Sequence, residues 1–194
     1  MMTKKEALLK AAKELFGEYG FNDTTFKKIS ERAGVALGLL THHYGNKEKL
    51  FLAAGLDVLD SFIDVLQKAT SNTENGCQGV LAFCKAYLQF SIAPDSNWLV
   101  LVRCSPYSDM KVGEDREIML SKFAEVHRIL ESQLERGIAD GSITSEMHPG
   151  ASQVIVGLMV GANRTKVLTP YTYDDSTNFY SETLGFVERA IRAR

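Results

Sequence analysis

A chain of 194 residues with 45% apolar content is long enough for one large domain, or for a small domain attached to a bigger one. No apolar run approaches the ~18–20 residues of a membrane span; the longest, residues 98–102, stops at Arg103. The net charge of −2 is uneven: residues 1–50 carry nine Lys/Arg against six Asp/Glu, and residues 51–194 carry thirteen against eighteen. A positive end on an acidic body suits a molecule that presents one end to phosphates.

The first residues, Met-Met-Thr-Lys-Lys-Glu, run into an amphipathic pattern without the apolar centre of a signal peptide, so a cytoplasmic location is expected. Three cysteines, Cys77, Cys84 and Cys104, are too few and too odd in number for a disulfide framework. They read as reduced, half-buried thiols. No Cys/His cluster accompanies them, so neither a metal nor another cofactor is expected.

Nearly everything reads as helix. A first helix covers about residues 3–19, with Ala7, Leu8, Ala11, Ala12, Leu15, Phe16 and Tyr19 on one stripe. Gly20 follows where a left-handed backbone is needed. Thr24 or Thr25 caps the next helix, which holds Phe26, Ile29 and Ala33 and stops at Gly34. A short third helix runs from about Leu37 to His43, and Gly45-Asn46 breaks the chain before a long fourth helix from Lys47. Residues 70–79 are polar and glycine-containing, and read as a loop.

Further helices are expected over about 79–93, 97–105 and 114–140, with residues 106–113 as a mobile loop. A helix over 149–168 starts near Pro149, whose fixed φ suits a first turn. It is apolar almost all round and should be buried on most faces. The last helix covers about 174–192. No alternating-period strand is visible.

The segment from Thr25 to Tyr44 has the layout of a helix-turn-helix. Ile29 and Ala33 face inward, Gly34 makes the turn, Val35 plugs the corner and Leu40 faces back from the second helix. That second helix is then free to enter the major groove of DNA.

The wider pattern resembles the TetR family of transcriptional regulators. The matching features are Phe16-Gly17-Glu18-Tyr19-Gly20-Phe21, Thr24-Thr25, Ile29, Ala33-Gly34-Val35, Gly38, Tyr44 at the family's usual Phe, Asn46-Lys47-Glu48 and Leu50-Phe51. The resemblance implies an all-α fold. In it, a three-helix DNA-binding domain, residues 1–50, is joined by a long helix to a ligand-binding and dimerising body, residues 51–194. It also implies a homodimeric repressor, released from a near-palindromic double-stranded operator by a small-molecule effector. Ala36 stands where the family often has Ser, and Thr41 where it usually has Tyr, so the reading face is small and apolar.

On this reading Thr25, Ala36, Leu37, Gly38, Leu39, Thr41, His42, Tyr44 and Lys47 meet DNA. Lys47 and the free N–H groups of its helix end would hold a phosphate, and so would Thr25. Tyr44 fills the core and its hydroxyl reaches a phosphate. Leu37 offers apolar contact to a thymine methyl. Either His42 or His43 touches DNA. Lys4 and Lys5 would reach flanking phosphates or the minor groove. The body would hold its ligand among Phe83, Tyr87, Trp98, Arg103, Phe123 and His127, mixing aromatics with polar tips. The dimer would form through Val154, Leu158, Gly161, Tyr180, Leu184 and Val187. No catalytic motif is present: there is no Ser/His/Asp order, phosphate loop or paired carboxylate, so the chain does not read as an enzyme. The alternative is a helical sensor that binds ligand or protein without DNA.

Overall fold

A computed structural model describes residues 2–103, 114–146, 150–168 and 176–193, with the side chains of residues 103, 114, 167–168 and 176–178 outside that description. The described residues form nine α-helices: α1 Lys4–Asp23, α2 Phe26–Ala33, α3 Leu37–Tyr44, α4 Lys47–Thr70, α5 Gly76–Ile92, α6 Leu99–Arg103, α7 Glu114–Asp140, α8 Ala151–Leu168 and α9 Ser176–Ile191. A 3-10 turn, Pro94–Ser96, precedes α6. Among the described residues the only extended pairing is a single antiparallel bridge, Ile143 with Arg192. The all-α fold is thus as the periodicity indicates. The loop expected at 106–113 and the placement of Pro149 lie outside the described residues.

The chain packs as two units, one made of Met1–Ser61 and Pro94–Phe123, the other of Phe62–Ala93 and Ala124–Arg194. Helices α4 and α7 each contribute residues to both. Residues 51–61 therefore group by packing with the first three helices, and the division at residue 50 stays a functional proposal.

The first unit is built on an apolar cluster. Leu8, Ala11, Ala12, Leu15 and Phe16 of α1 meet Ile29 of α2, Leu40 of α3, Leu50, Phe51 and Ala54 of α4, and Val100 of α6. Each fully buried Leu or Ile there contributes roughly 1.5–3 kcal/mol. Phe16 and Phe51 meet edge to face at 5.2 Å, and Phe21 lies 5.1 Å from Phe51. Gly17 lets α6 approach, because a Cβ there would sit 3.3 Å from the Leu99 Cβ. Lys13–Asp57 at 2.5 Å, Lys49–Asp115 at 2.6 Å and Lys122–Asp60 at 2.8 Å fasten α4 to α1 and to the start of α7. All three pairs are partly exposed, so each contributes at most about 1 kcal/mol.

The second unit has a close helix crossing at its base. A Cβ on Gly76 would fall onto the backbone of Gly137, and one on Gly79 would fall onto the Gln133 side chain. The start of α5 is also fully capped. Asp140 accepts from Gly76 N–H at 2.8 Å, Ser142 Oγ from Cys77 N–H at 3.0 Å, and Asn75 Oδ1 from Gln78 N–H at 2.9 Å. Arg136 donates to the Thr73 carbonyl at 2.6 Å. The Ser142 hydroxyl and the Gly76 N–H hold the Asp140 carboxyl below its ordinary pKa. Above this clamp, Phe62 meets Tyr87 edge to face at 4.9 Å and lies 5.1 Å from Phe90.

Helix α8 departs from the expectation of burial on most faces. Ala151, Ser152, Ile155, Met159, Ala162 and Asn163 are buried, but Val154 is 72% and Val160 49% exposed, with Gly157 and Gly161 beside them. Among the described residues, only one face of this apolar helix finds cover.

Candidate nucleic-acid interface

The site begins at the broken end of α1. Gly20 leaves helical geometry with φ 80°, a conformation that costs a side-chain-bearing residue strain. The carbonyls freed by the break are taken up one by one. Thr24, fully buried, donates its hydroxyl to Gly20 at 2.7 Å and to Leu15 at 3.1 Å. Lys47 donates to the Phe21 carbonyl at 2.9 Å, with its ammonium 4.3 Å over the Phe21 ring, and Lys28 donates to Asp23 at 2.8 Å.

Thr25, not Thr24, is the cap of α2: its hydroxyl accepts from Lys28 N–H at 3.3 Å. Helix α2 ends at Gly34, in the left-handed region at φ 64°. Val35 N–H returns to the Ser30 carbonyl at 3.0 Å and Gly34 N–H reaches Glu31 at 3.2 Å, which closes the turn. Arg32 reaches back to Glu14 and Glu18 of α1, so it braces the pair of helices.

Helix α3 is set by one anchor. Leu40 is fully buried, while Ala36, Leu37, Gly38, Thr41, His42 and His43 are exposed and Leu39 is half-buried. At about 100° per residue, Gly38 and His42 lie opposite Leu40 and Thr41 about 100° from it, whereas Leu37 and His43 each lie about 60° from Leu40, on its two flanks. Leu37 is nevertheless 49% exposed on its flank. Ala36 caps α3 without a side-chain bond, which leaves the first N–H groups of α3 without that partner. The Thr41 hydroxyl makes a long bond back to the Leu37 carbonyl at 3.4 Å.

Two side chains expected at phosphates already have partners. Tyr44 packs half-buried against the core and donates its hydroxyl to the Lys5 carbonyl at 3.2 Å, tying α3 to the start of α1. Burial raises its pKa. The Lys47 ammonium has donors left, since lysine carries three and the Phe21 carbonyl takes one. Sequence reasoning missed Asn46, whose Oδ1 accepts from Lys49 N–H at 2.8 Å and caps α4 beside Lys47. An Asn directly before a helix start was the available signal. It also missed the clasp that orders Lys4 and Lys5: Thr3 and Glu6 form a reciprocal capping box.

The residues expected in the body fall in both units. Trp98 and Phe123 belong to the first unit, and Phe83, Tyr87 and His127 to the second. The Arg103 side chain lies outside the described residues. Phe83, Tyr87 and Trp98 are 0%, 4% and 6% exposed, so they are closely covered. An open groove of about 370 Å³ between α5 and α9 is lined by Leu81, Ala82, Lys85, Ser181, Leu184, Gly185 and Glu188, and none of the expected ligand residues contributes to it. Among the residues expected between protomers, Val154 and Gly161 are exposed and Leu158 and Leu184 half-buried. Tyr180 and Val187 are instead turned into their own unit at 9% and 2% exposure, because Tyr180 meets Ser91 at 3.4 Å and lies under Lys166. On α8 and α9, Phe186, at 61% exposure, and Val160 are exposed apolar residues that sequence reasoning left out.

A small amphipathic head whose second and third helices lock around Gly34, carried on a helical body, defines a helix-turn-helix protein. The family model described as bacterial regulatory proteins, tetR family, matches residues 8–54. Over 80 residues it is 31% identical to the transcriptional repressor AcnR of Corynebacterium efficiens, covering 41% of this chain and 39% of that one. The shared stretch is thus well under half of that relative. A putative tetR family regulator from Shewanella superposes over 99% of this chain and 100% of its own, with TM-score 0.74 and 25% identity. A regulator from Saccharomonospora viridis, solved in complex with choline, superposes over 98% of each chain with TM-score 0.85 at 13% identity, a likeness of fold.

Proposed function

We propose that this chain is a homodimeric repressor that docks α3 in the major groove of DNA and leaves its operator when a small molecule binds the body. One observation carries the reading: α3 is pinned by Leu40, presents Gly38, Thr41 and His42 to solvent away from it, and leaves Leu37 exposed on the flank between them. The capped starts of α2 at Thr25 and α4 at Asn46-Lys47 flank it, and free N–H groups at helix starts suit phosphates. Ala36 and Leu37 give the face methyl groups and few donors, so base choice leans on thymine methyls and DNA shape. His42, opposite Leu40, is the histidine assigned to DNA.

Dimerisation is assigned to the uncovered faces of α8 and α9, through Val154, Leu158, Val160, Gly161, Leu184 and Phe186. A two-fold dimer would place its α3 helices ~34–36 Å apart, one turn of DNA. The choline complex of the Saccharomonospora viridis regulator supports a small-molecule effector. Such an effector shifts the dimer only by its difference in affinity for the two states.

The test is a gel shift with DNA selected from a random pool. Wild type should retain a near-palindromic fragment, lose it steeply with salt, and lose it at fixed salt in the Thr25→Ala, Lys47→Ala double variant. Full affinity in a correctly folded double variant would refute the docking. No retained DNA at all would leave the sensor reading in its place.

A further inference from the structure

Asn163 is the one described residue in which a whole side-chain amide is buried without a partner: it is 2% exposed, and neither Oδ1 nor Nδ2 has a hydrogen bond. Buried amides in folded proteins are bonded with few exceptions, and an exception calls for a missing group. The surroundings locate it. On α8, Ser152 donates to Glu131 of α7 at 2.9 Å, which fixes the edge of α8 that faces α7. Asn163 is eleven residues further, about three turns, so it lies on the same edge. On α7, His127 is one turn before Glu131 and on the same face. Its Nδ1 is likewise buried and unpartnered. Past the Ser152–Glu131 bond each stripe carries an unmet polar atom, Asn163 about 16 Å along α8 and His127 about 6 Å along α7, so the two are offset by about 10 Å; all four residues belong to the second unit.

We propose that Asn163 is the polar anchor of a ligand site on the edge of α8 that faces α7, and that its ligand carries an uncharged carboxamide or lactam edge. An amide has one donor edge and one acceptor edge, and a second cis amide satisfies both at once through paired N–H···O bonds. The buried polar residues of this unit are Thr70, Ser91, Ser152, Asn163 and Thr183, all uncharged, so a charged head would find no buried counter-ion among the described residues. This deepens the effector reading above and rests on it.

The experiment uses the full chain with benzamide as the probe and benzoate as its charged counterpart. Calorimetry should find benzamide bound by wild type and benzoate at least tenfold weaker. Asn163→Leu should abolish benzamide binding and raise the melting temperature of the free protein, because it removes an unmet amide at nearly constant volume. His127→Phe, about 10 Å away along the stripe, should leave benzamide affinity within about threefold. A lower melting temperature in Asn163→Leu, with no benzamide bound by wild type, would mean that ordered water holds the amide and would overturn the site. Equal benzamide binding by wild type and Asn163→Leu would overturn it too. A gel shift run on the same samples separates the two readings: DNA retained by both proteins without benzamide binding defeats only the anchor assignment, while loss of DNA from both defeats the regulator.

Discussion

The helix-turn-helix and the second unit differ in how completely they meet their own polar groups. Around the helix-turn-helix, the freed carbonyls of Leu15, Gly20, Phe21 and Asp23 are met by Thr24, Lys47 and Lys28, and the turn at Gly34 closes its own bonds. The second unit leaves Asn163 and His127 Nδ1 unmet and exposes Val154, Val160 and Phe186. The difference teaches that the head closes its own hydrogen bonds, while the second unit leaves groups that a partner molecule would complete. Marginal stability makes unmet groups costly, so they are where such a partner is sought.

The largest expected effect tests the base of the second unit against the head. Gly76→Val drives a Cβ into the Gly137 backbone, which cannot yield without parting α5 from α7. It should cost about 3 kcal/mol or more in denaturant unfolding. Gly38→Ala meets open space within a helix and should stabilise by about 0.5–1 kcal/mol. Equal effects at the two glycines would break the contrast between a packed crossing and an open reading face.

Within the head, Leu40→Ala should cost about 3 kcal/mol, because Leu40 is the buried anchor of α3. Leu37→Ala, on the exposed flank beside it, should change stability by less than ~0.5 kcal/mol. It should still weaken DNA binding about tenfold in a gel shift if the methyl contact holds. Replacing thymine by uracil in the selected DNA should then cost wild type more than Leu37→Ala. Thr24→Val keeps the shape but strips the hydroxyl from two carbonyls, and should cost about 1–2 kcal/mol. Thr25→Ala removes only an exposed cap, about 1 kcal/mol.

Those pairs also mark how far the sequence could be read. Apolar spacing located every helix, and Gly20, Gly34 and Leu40 announced the head, because each acts through its near neighbours. Long-range partners were not legible. Nothing local decides between Thr24 and Thr25, since the choice depends on where α1 breaks. Residues 70–79 looked like loop, yet α5 starts at Gly76: its first donors are capped by Asp140 and Ser142, more than sixty residues away. Its glycines serve a close crossing, which composition cannot distinguish from a turn. Asn163 within an apolar helix drew no notice, because a missing partner is visible only in three dimensions.

The smallest effect is electrostatic and sharpens the account of that capped start. The Asp140 carboxyl is exposed, and its pKa is lowered from 3.8 by the Ser142 hydroxyl and then by the Gly76 N–H. A carboxyl depressed by folding adds stability that is fully present above its unfolded pKa and is lost as the pH falls through the folded one. Asp140→Asn keeps one acceptor oxygen and never titrates. The melting temperature of wild type should therefore exceed that of Asp140→Asn by a small constant margin above about pH 5, and the margin should shrink below about pH 4. Thermal melts at matched ionic strength measure it, and the depressed carboxyl of Glu6 cancels because both proteins carry it. If the margin persists unchanged to about pH 3, the clamp works through the shape of the side chain, and the helix start does not depend on its charge.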